Sequence, residues 1–302
     1  MNQTKYINAF LQKPGGNALS SVGVTRINKE DVRPTIEFVS RISGIPTKGL
    51  HLLGSTGKSS SSGDIDVGIS ISEFDPYSVH SKMIEVLGSE NTVFNKGLGI
   101  GSYAVPISGE IGTGLVQVDF MFVPNTEWAE FSYFSTGGQH TKYKGVVRTI
   151  LLRSIASTLN EEGVDLFVYD SVSRDLTVRV GRTFDMNIGL RRIIQVRPMK
   201  KRGGGYLSSM KPVSMDELDS LYPELDVCKL KTFNTIDDPT EVLRVLFNDN
   251  IRPVNVETAE QIVNMITEFP TERKEQIIIT ANRHLSQSAH FTSDQLFDLW
   301  SE

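Results

Sequence analysis

The sequence predicts an α/β chain of the α+β kind, with a mixed sheet, flanking helices and a helical C-terminal module. Three observations carry this prediction. Strand-like alternation at 64–71 and 115–123 is interleaved with helical periodicity at 29–43 and 76–87. The last third of the chain is punctuated by helix caps. With 302 residues, 39% hydrophobic and 22% charged, the composition is that of a globular chain able to bury a core rather than a disordered or fibrous one.

Taken in order, Val32, Ile36, Val39 and Ile42 share one face at helical spacing, and Pro34 predicts that this helix starts late or bends. A short strand, Leu50 to Leu53, runs into Gly54. The segment DIDVGISI alternates Asp64, Asp66, Gly68 and Ser70 with Ile65, Val67, Ile69 and Ile71, so its two aspartates share a face. Asp75 and Pro76 are a cap and a first-turn proline, and Val79, Met83 and Leu87 carry that helix onward. Strands centred on Thr92 to Asn95 and Ser102 to Ile107 follow, and the turn GEIGTG closes a hairpin into LVQVDFMFV, residues 115–123. There Val116, Val118, Phe120 and Phe122 form an apolar face, opposite Leu115, Gln117, Asp119 and Met121.

Beyond Gly145, VVRTILLRSIASTL reads as a helix, strand-like segments continue to Val196, and Gly203 to Gly205 reads as a flexible loop. Ser214 to Glu217 and Asp238 to Glu241 are caps with a Glu three residues on, and Val256, Ala259, Ile262, Val263 and Ile266 make an apolar stripe. There is no internal repeat. The expected organisation is residues 1–160 as the α/β unit with a helical lead-in, 161–211 as a basic strand-rich segment, and 212–302 as an acidic helical module.

The net charge of −5 argues against a general polyanion binder, but the average hides a contrast. Residues 174–211 carry ten Lys or Arg against two Asp, a net of +8, while 212–302 carry 7 basic and 17 acidic residues, a net of −10. Arg191, Arg192, Lys200, Lys201 and Arg202 are the candidate contacts to nucleic-acid phosphates. The acidic module is unsuited to that role and is a candidate surface for a protein partner. One cysteine, Cys228, allows no intramolecular disulfide and no cysteine-rich metal site. His51, His80, His284 and His290 have no ligand spacing. The N-terminus lacks the apolar core of a secretory signal, and no stretch approaches the ~20 apolar residues that cross a bilayer, so no membrane partner is expected. The expectation is a cytoplasmic or other reducing intracellular location, not a secreted protein.

The most informative stretch is GSTGKSSSSGDIDV, Gly54 to Val67. A phosphate-binding P-loop would need glycine five residues before Gly57, where position 52 is Leu. GLGIG at 97–101 lacks the last glycine of a dinucleotide fingerprint. What remains is a strand ending in Gly-Ser, a small polar turn, and Asp-x-Asp opening the next strand. Aspartates two apart on a strand project to one face and suit hard cations such as Mg²⁺. Asp119 supplies a third carboxylate from the face opposite the phenylalanines. Three carboxylates can hold two Mg²⁺ ions roughly 3.5–4 Å apart, one activating an attacking hydroxyl and the other binding triphosphate, which is the requirement of nucleotidyl transfer. Mn²⁺ is a possible substitute.

GSTGKSSSSGDIDV resembles the signature of the DNA polymerase beta-like nucleotidyltransferase superfamily, and its SSGDIDV half is similar to the family X DNA polymerases. VDFMFVP around Asp119 resembles the strand bearing the third catalytic aspartate, TRINKED at Thr25 to Asp31 the arginine-led start of the helix before the palm, and YFSTGG at Tyr133 to Gly138 the turn against the nucleotide sugar. The resemblance covers about residues 24–160. It implies a nucleotidyltransferase palm in which Asp64 and Asp66 bind both metals, and Asp119 binds the catalytic metal and helps deprotonate the primer 3′-hydroxyl. It implies further that Gly54, Ser55 and Lys58 contact the triphosphate of an NTP or dNTP, that Arg26 is another phosphate ligand, and that Tyr133 and Phe134 pack on the sugar. Lys58 stands where the polymerases carry arginines, and Ser135 is an extra residue in the sugar turn. The residues before Arg26 are too few for the lyase and helix-hairpin-helix domains of repair polymerases. The expected reaction is transfer of a nucleoside monophosphate to a polynucleotide 3′ end. The alternatives are a tRNA, protein or small-molecule acceptor, or a silent nucleic-acid-binding or scaffold protein.

Overall fold

The computed structural model describes residues 18–139, 141–159, 168–169, 176–198, 211–213, 235–286 and 298–300. In the first half, strands β1 (Ile27–Asn28), β2 (His51–Leu52), β3 (Ser61–Ser62), β4 (Asp64–Ser70), β5 (Thr92–Asn95), β6 (Ile100–Pro106) and β7 (Leu115–Val123) accompany helices α1 (Lys29–Ser43), α2 (Pro76–Leu87) and α3 (Thr126–Ser132). Five of the strands form one sheet in the order β2-β4-β7-β6-β5. It is mixed, because β4 and β7 run parallel while every other neighbouring pair is antiparallel. Parallel neighbours need a crossover, which α2 and the β5–β6 hairpin supply.

Period-2 alternation decides which face is which. Ile65, Val67, Ile69, Val116, Val118 and Phe120 are fully buried and pack beneath Val32, Ile36 and Val39 of α1 and Val79 and Met83 of α2. Burying each such side chain contributes about 1.5–3 kcal/mol, and a one-residue slip would drive Asp64, Asp66 and Asp119 into that layer instead. The aspartates are thereby held on the opposite face. The strand ends at Ser70, and Ile71, which the alternation places among the apolar set, is exposed. Likewise β2 shrinks to two residues at the sheet edge, with Leu50 and Leu53 buried beyond its ends.

Helix starts follow local chemistry. Asp75 caps α2 by accepting from Ser78 N–H at 2.8 Å, with Pro76 in the first position. α1 does not start late. Its first N–H, on Lys29, is taken by Ser60 O at 3.0 Å, and Pro34 is accommodated inside it. Proline there forfeits only the bond to Glu30, whose carbonyl lies in the first turn.

The second half contains α4 (Gly145–Ser157), β8 (Val168–Tyr169), β9 (Leu176–Asp185), β10 (Gly189–Pro198), β11 (Lys211–Val213), α5 (Pro239–Leu246), α6 (Ala259–Thr267) and α7 (Thr271–Leu285). The strands form an antiparallel sheet in the order β11-β10-β9-β8. A second core joins Trp128 and Phe131 of α3, Ile150 and Leu151 of α4, Phe184 and Leu190 at the turn end of the β9–β10 hairpin, and Val242, Ile262 and Ile277 of the C-terminal helices. Asp238 caps α5 by accepting from Glu241 N–H at 2.7 Å, and Thr258 with Gln261 forms a capping box on α6. Arg148 of α4 ties the halves together, donating to Phe131 O at 2.9 Å and to Val256 O. Burial pushes its guanidinium down to about 9. Among the described residues no helix is long and apolar enough to cross a membrane. The Gly203–Gly205 loop, the Ser214 cap and Cys228 lie outside the described residues.

Candidate metal centre

The register of β4 and β7 sets Asp66 directly beside Asp119, with Asp64 one pleat away on the same face beside Gln117. The three carboxylates each offer an oxygen, all within 4.8 Å of one another. The electrostatics follow from that crowding. Burial, then the charge of Asp119, raises Asp64 from 3.8 to about 6, against the opposing pull of Arg26. Asp66 is raised well above the ordinary carboxylate range by burial and by both neighbouring acids. Asp119 is raised by burial, partly offset by hydrogen bonds from Ser102 and Gln117.

Asp119 is buried and Asp64 and Asp66 are half-buried, and three crowded acids that resist ionising together favour the presence of positive charge. Every donor is a carboxylate oxygen, so the cluster could hold a hard cation.

Asp119 is also oriented. Gln117, two residues earlier on the same face, donates from Nε2 to Oδ1 at 3.0 Å and to Oδ2 at 2.9 Å. Its own carbonyl oxygen accepts from Leu19 N–H at 3.2 Å, which fixes which end of the amide faces the acid. The spacing of Gln117 and Asp119 was visible in the alternation, but Gln117 carries no motif to single it out.

The Gly54–Ser62 loop wraps the same carboxylates. Leu53 N–H donates to Asp66 O at 2.9 Å, and Asp66 N–H donates to Thr56 Oγ1 at 3.1 Å. Gly54 adopts φ +62°, and a Cβ there would lie 3.1 Å from Asp66 Oδ2. The Ser55 hydroxyl has no hydrogen-bond partner among the described residues. Arg26 sits at the rim, donating to Ser61 O at 3.0 Å and Ser61 Oγ at 3.1 Å.

The loop is zipped to the turn beginning at Tyr133. Lys58 Nζ donates to Ser135 O at 2.9 Å and lies 4.2 Å above the Phe134 ring, while Ser59 Oγ donates to Gly137 O at 2.7 Å. Burial pulls the Lys58 ammonium below its ordinary range. Phe134 thus faces the loop. Tyr133 turns away, donating to Asn187 Oδ1 at 2.7 Å, and burial with the charges of Asp66 and Asp185 drives its hydroxyl far above the ordinary phenol range.

An open cleft of about 360 Å³ lies beyond the loop, with Lys29, Lys58, Thr136, Gln139 and Glu257 on its walls. Of these, sequence reasoning found Lys58 alone. The others come from three separate segments: Lys29 lies in TRINKED and Thr136 in YFSTGG, with Gln139 just beyond, but neither motif singled them out, and nothing local marks Glu257. In the basic segment, Arg191 lies 3.5 Å from Asp185 Oδ2. The side chain of Arg192, and Lys200, Lys201 and Arg202 entirely, lie outside the described residues. No protein-family model matches the chain, and no curated protein matches it.

Proposed function

We propose that the chain is a metal-dependent nucleotidyltransferase, with Asp64, Asp66 and Asp119 on a polymerase beta-like palm. The observation that carries this is the convergence of three carboxylates from two parallel strands beneath a Gly-Ser loop whose serine hydroxyl has no partner among the described residues. Mg²⁺ held by the three aspartates would neutralise the triphosphate and lower the pKa of the attacking hydroxyl. Ser55 donates to the triphosphate, and Lys58 and Arg26 supply positive charge along it. Asp119, oriented by Gln117, takes the proton of the attacking hydroxyl. The hydroxyl oxygen bonds to the α-phosphorus, the bond from that phosphorus to the bridging oxygen breaks, and pyrophosphate leaves. Phe134, facing the loop, borders the sugar end of the same site, while Tyr133, turned toward Asn187, supports the turn from behind.

A polynucleotide 3′ end is the favoured acceptor. A small-molecule or protein hydroxyl is the second reading, because Arg191 faces Asp185 rather than standing alone. The test incubates the protein with each labelled NTP or dNTP and Mg²⁺, offering a primed template, single-stranded DNA, tRNA, or the protein alone. Label transfer with release of pyrophosphate, lost in Asp64→Asn while the circular dichroism spectrum is retained, is the expected result. Full transfer by Asp64→Asn, or none by the native chain with any acceptor, overturns the reading.

A further inference from the structure

The cleft beyond the Gly54–Ser62 loop is lined by a carboxylate that has no partner among the described residues. Glu257, half-buried just before the N-cap of α6, makes no hydrogen bond or ion pair among the described residues, although the charges of Lys58 and Arg148 act on it. The cleft volume of about 360 Å³ lies within the range of small-molecule sites, roughly 300–1,000 Å³.

Among the described residues, Glu257 is the one carboxylate on these walls. A triphosphate placed against it would be repelled, so a bound nucleotide directs its phosphates toward Ser55 and the loop backbone and its base toward Glu257. The face of Phe134 is covered by Lys58, so ring stacking there does not choose the base. Hydrogen bonding does. A carboxylate only accepts, and its two oxygens match two adjacent donors. Guanine presents such a pair, N1–H and the 2-amino group. Adenine and cytosine set an acceptor nitrogen beside their amino group, and uracil flanks N3–H with two carbonyls.

We infer that this cleft selects guanine nucleotides, with Glu257 accepting from N1–H and the 2-amino group. The inference rests on the nucleotidyltransferase reading and adds the base to it.

The test measures equilibrium binding of GTP, ITP, ATP, CTP and UTP to the full chain with Mg²⁺. GTP is expected to bind about tenfold or more tighter than ATP, because each charge-assisted hydrogen bond is worth roughly a factor of ten. ITP, which lacks the 2-amino group, should fall between them, and this comparison needs no variant. Glu257→Gln presents one acceptor and one donor, the complement of adenine, and should lower GTP affinity while raising that for ATP. Equal affinities for all five nucleotides, unmoved by Glu257→Gln, overturn guanine selection and leave nucleotidyl transfer standing. Absence of binding by any nucleotide overturns both.

Discussion

Asp66 on β4 lies directly opposite Asp119 on the parallel strand β7, so two carboxylates from segments far apart in sequence meet at one level of the sheet. A hairpin could not make this arrangement from neighbouring residues. The crossover that makes β4 and β7 parallel brings both strands to the site in the same direction, and Asp64 adds its carboxylate one pleat away. The cluster is unfavourable by itself, so its behaviour is set by protons, cations and the groups that surround it.

In metal-free protein the cluster should make stability fall as pH rises. Asp64 keeps its proton in the folded chain up to about 6 but loses it near 3.8 when unfolded. Between those values the folded state binds more protons, so the stability contributed by the protonated acid is complete below about 4 and lost as pH climbs through 6. Asp66 and Asp119, also raised, extend the loss in the same direction. The effect of Asp64 is on the order of 3 kcal/mol. Melting temperatures of EDTA-treated native and Asp64→Asn protein should diverge across this range, the native chain losing more. Added Mg²⁺ should raise the native melting temperature near neutral pH and have little effect near pH 4. Parallel profiles for the two proteins would contradict the shift.

Gln117 should matter almost as much as the ligands. Gln117→Leu removes the donor to both Asp119 oxygens and leaves Leu19 N–H without its acceptor. Groups that orient metal ligands typically account for about 10–100-fold in affinity or activity. Calorimetric titration with Mn²⁺ should show a loss of that order at neutral pH. An unchanged affinity would mean that Asp119 is held by Ser102 alone.

The sheet and the carboxylate triad were legible because they depend on local alternation. Ile65, Val67 and Ile69 fix the face on which Asp64 and Asp66 stand, and the same period places Asp119 opposite Phe120. What the sequence left hidden depends on long-range pairing. Pro34 read as a late start or a bend, but the helix begins at Lys29, and the acceptor for its first N–H is Ser60, which no local pattern couples to residue 29. Thr136 and Glu257 are 121 positions apart and face one cleft only because Arg148 holds Phe131 and Val256 in place. Phe134 and Tyr133 are neighbours in sequence yet point to different partners, Lys58 and Asn187.

Gly137 is where the two loops meet, and glycine is required there. Its φ is +71°, and an added Cβ would lie 2.8 Å from Lys58 Cβ and 2.9 Å from Ser59 N. Gly138 has φ +85° with nothing within 4 Å. Gly138→Ala should therefore cost only the left-handed conformation, about 1 kcal/mol, whereas Gly137→Ala should cost roughly 2 kcal/mol or more and loosen the hold of Lys58 on Ser135. Denaturant unfolding of both variants checks this. Equal losses would show that the loops move apart freely.

The basic segment offers the sharpest test of the acceptor. If it tracks a phosphate backbone, replacing Arg191, Arg192, Lys200, Lys201 and Arg202 by Gln should weaken polynucleotide binding and flatten its dependence on salt, by roughly 0.9 in slope for each phosphate no longer neutralised. Arg191 should contribute least, because Asp185 lies 3.5 Å away and already offsets part of its charge. The single variant Arg191→Gln should thus change the slope by well under one unit, and the fivefold variant by roughly three to four. Metal binding at the aspartates should survive both, since none of the five residues contributes to that cluster. Replacing Asp216, Glu217, Asp219, Glu224 and Asp226 should not weaken polynucleotide binding, because like charges only repel it. A slope unchanged by the fivefold substitution would remove the polynucleotide from the mechanism. The carboxylate cluster would then serve a small-molecule or protein hydroxyl, and the label-transfer assay should find product on that acceptor alone.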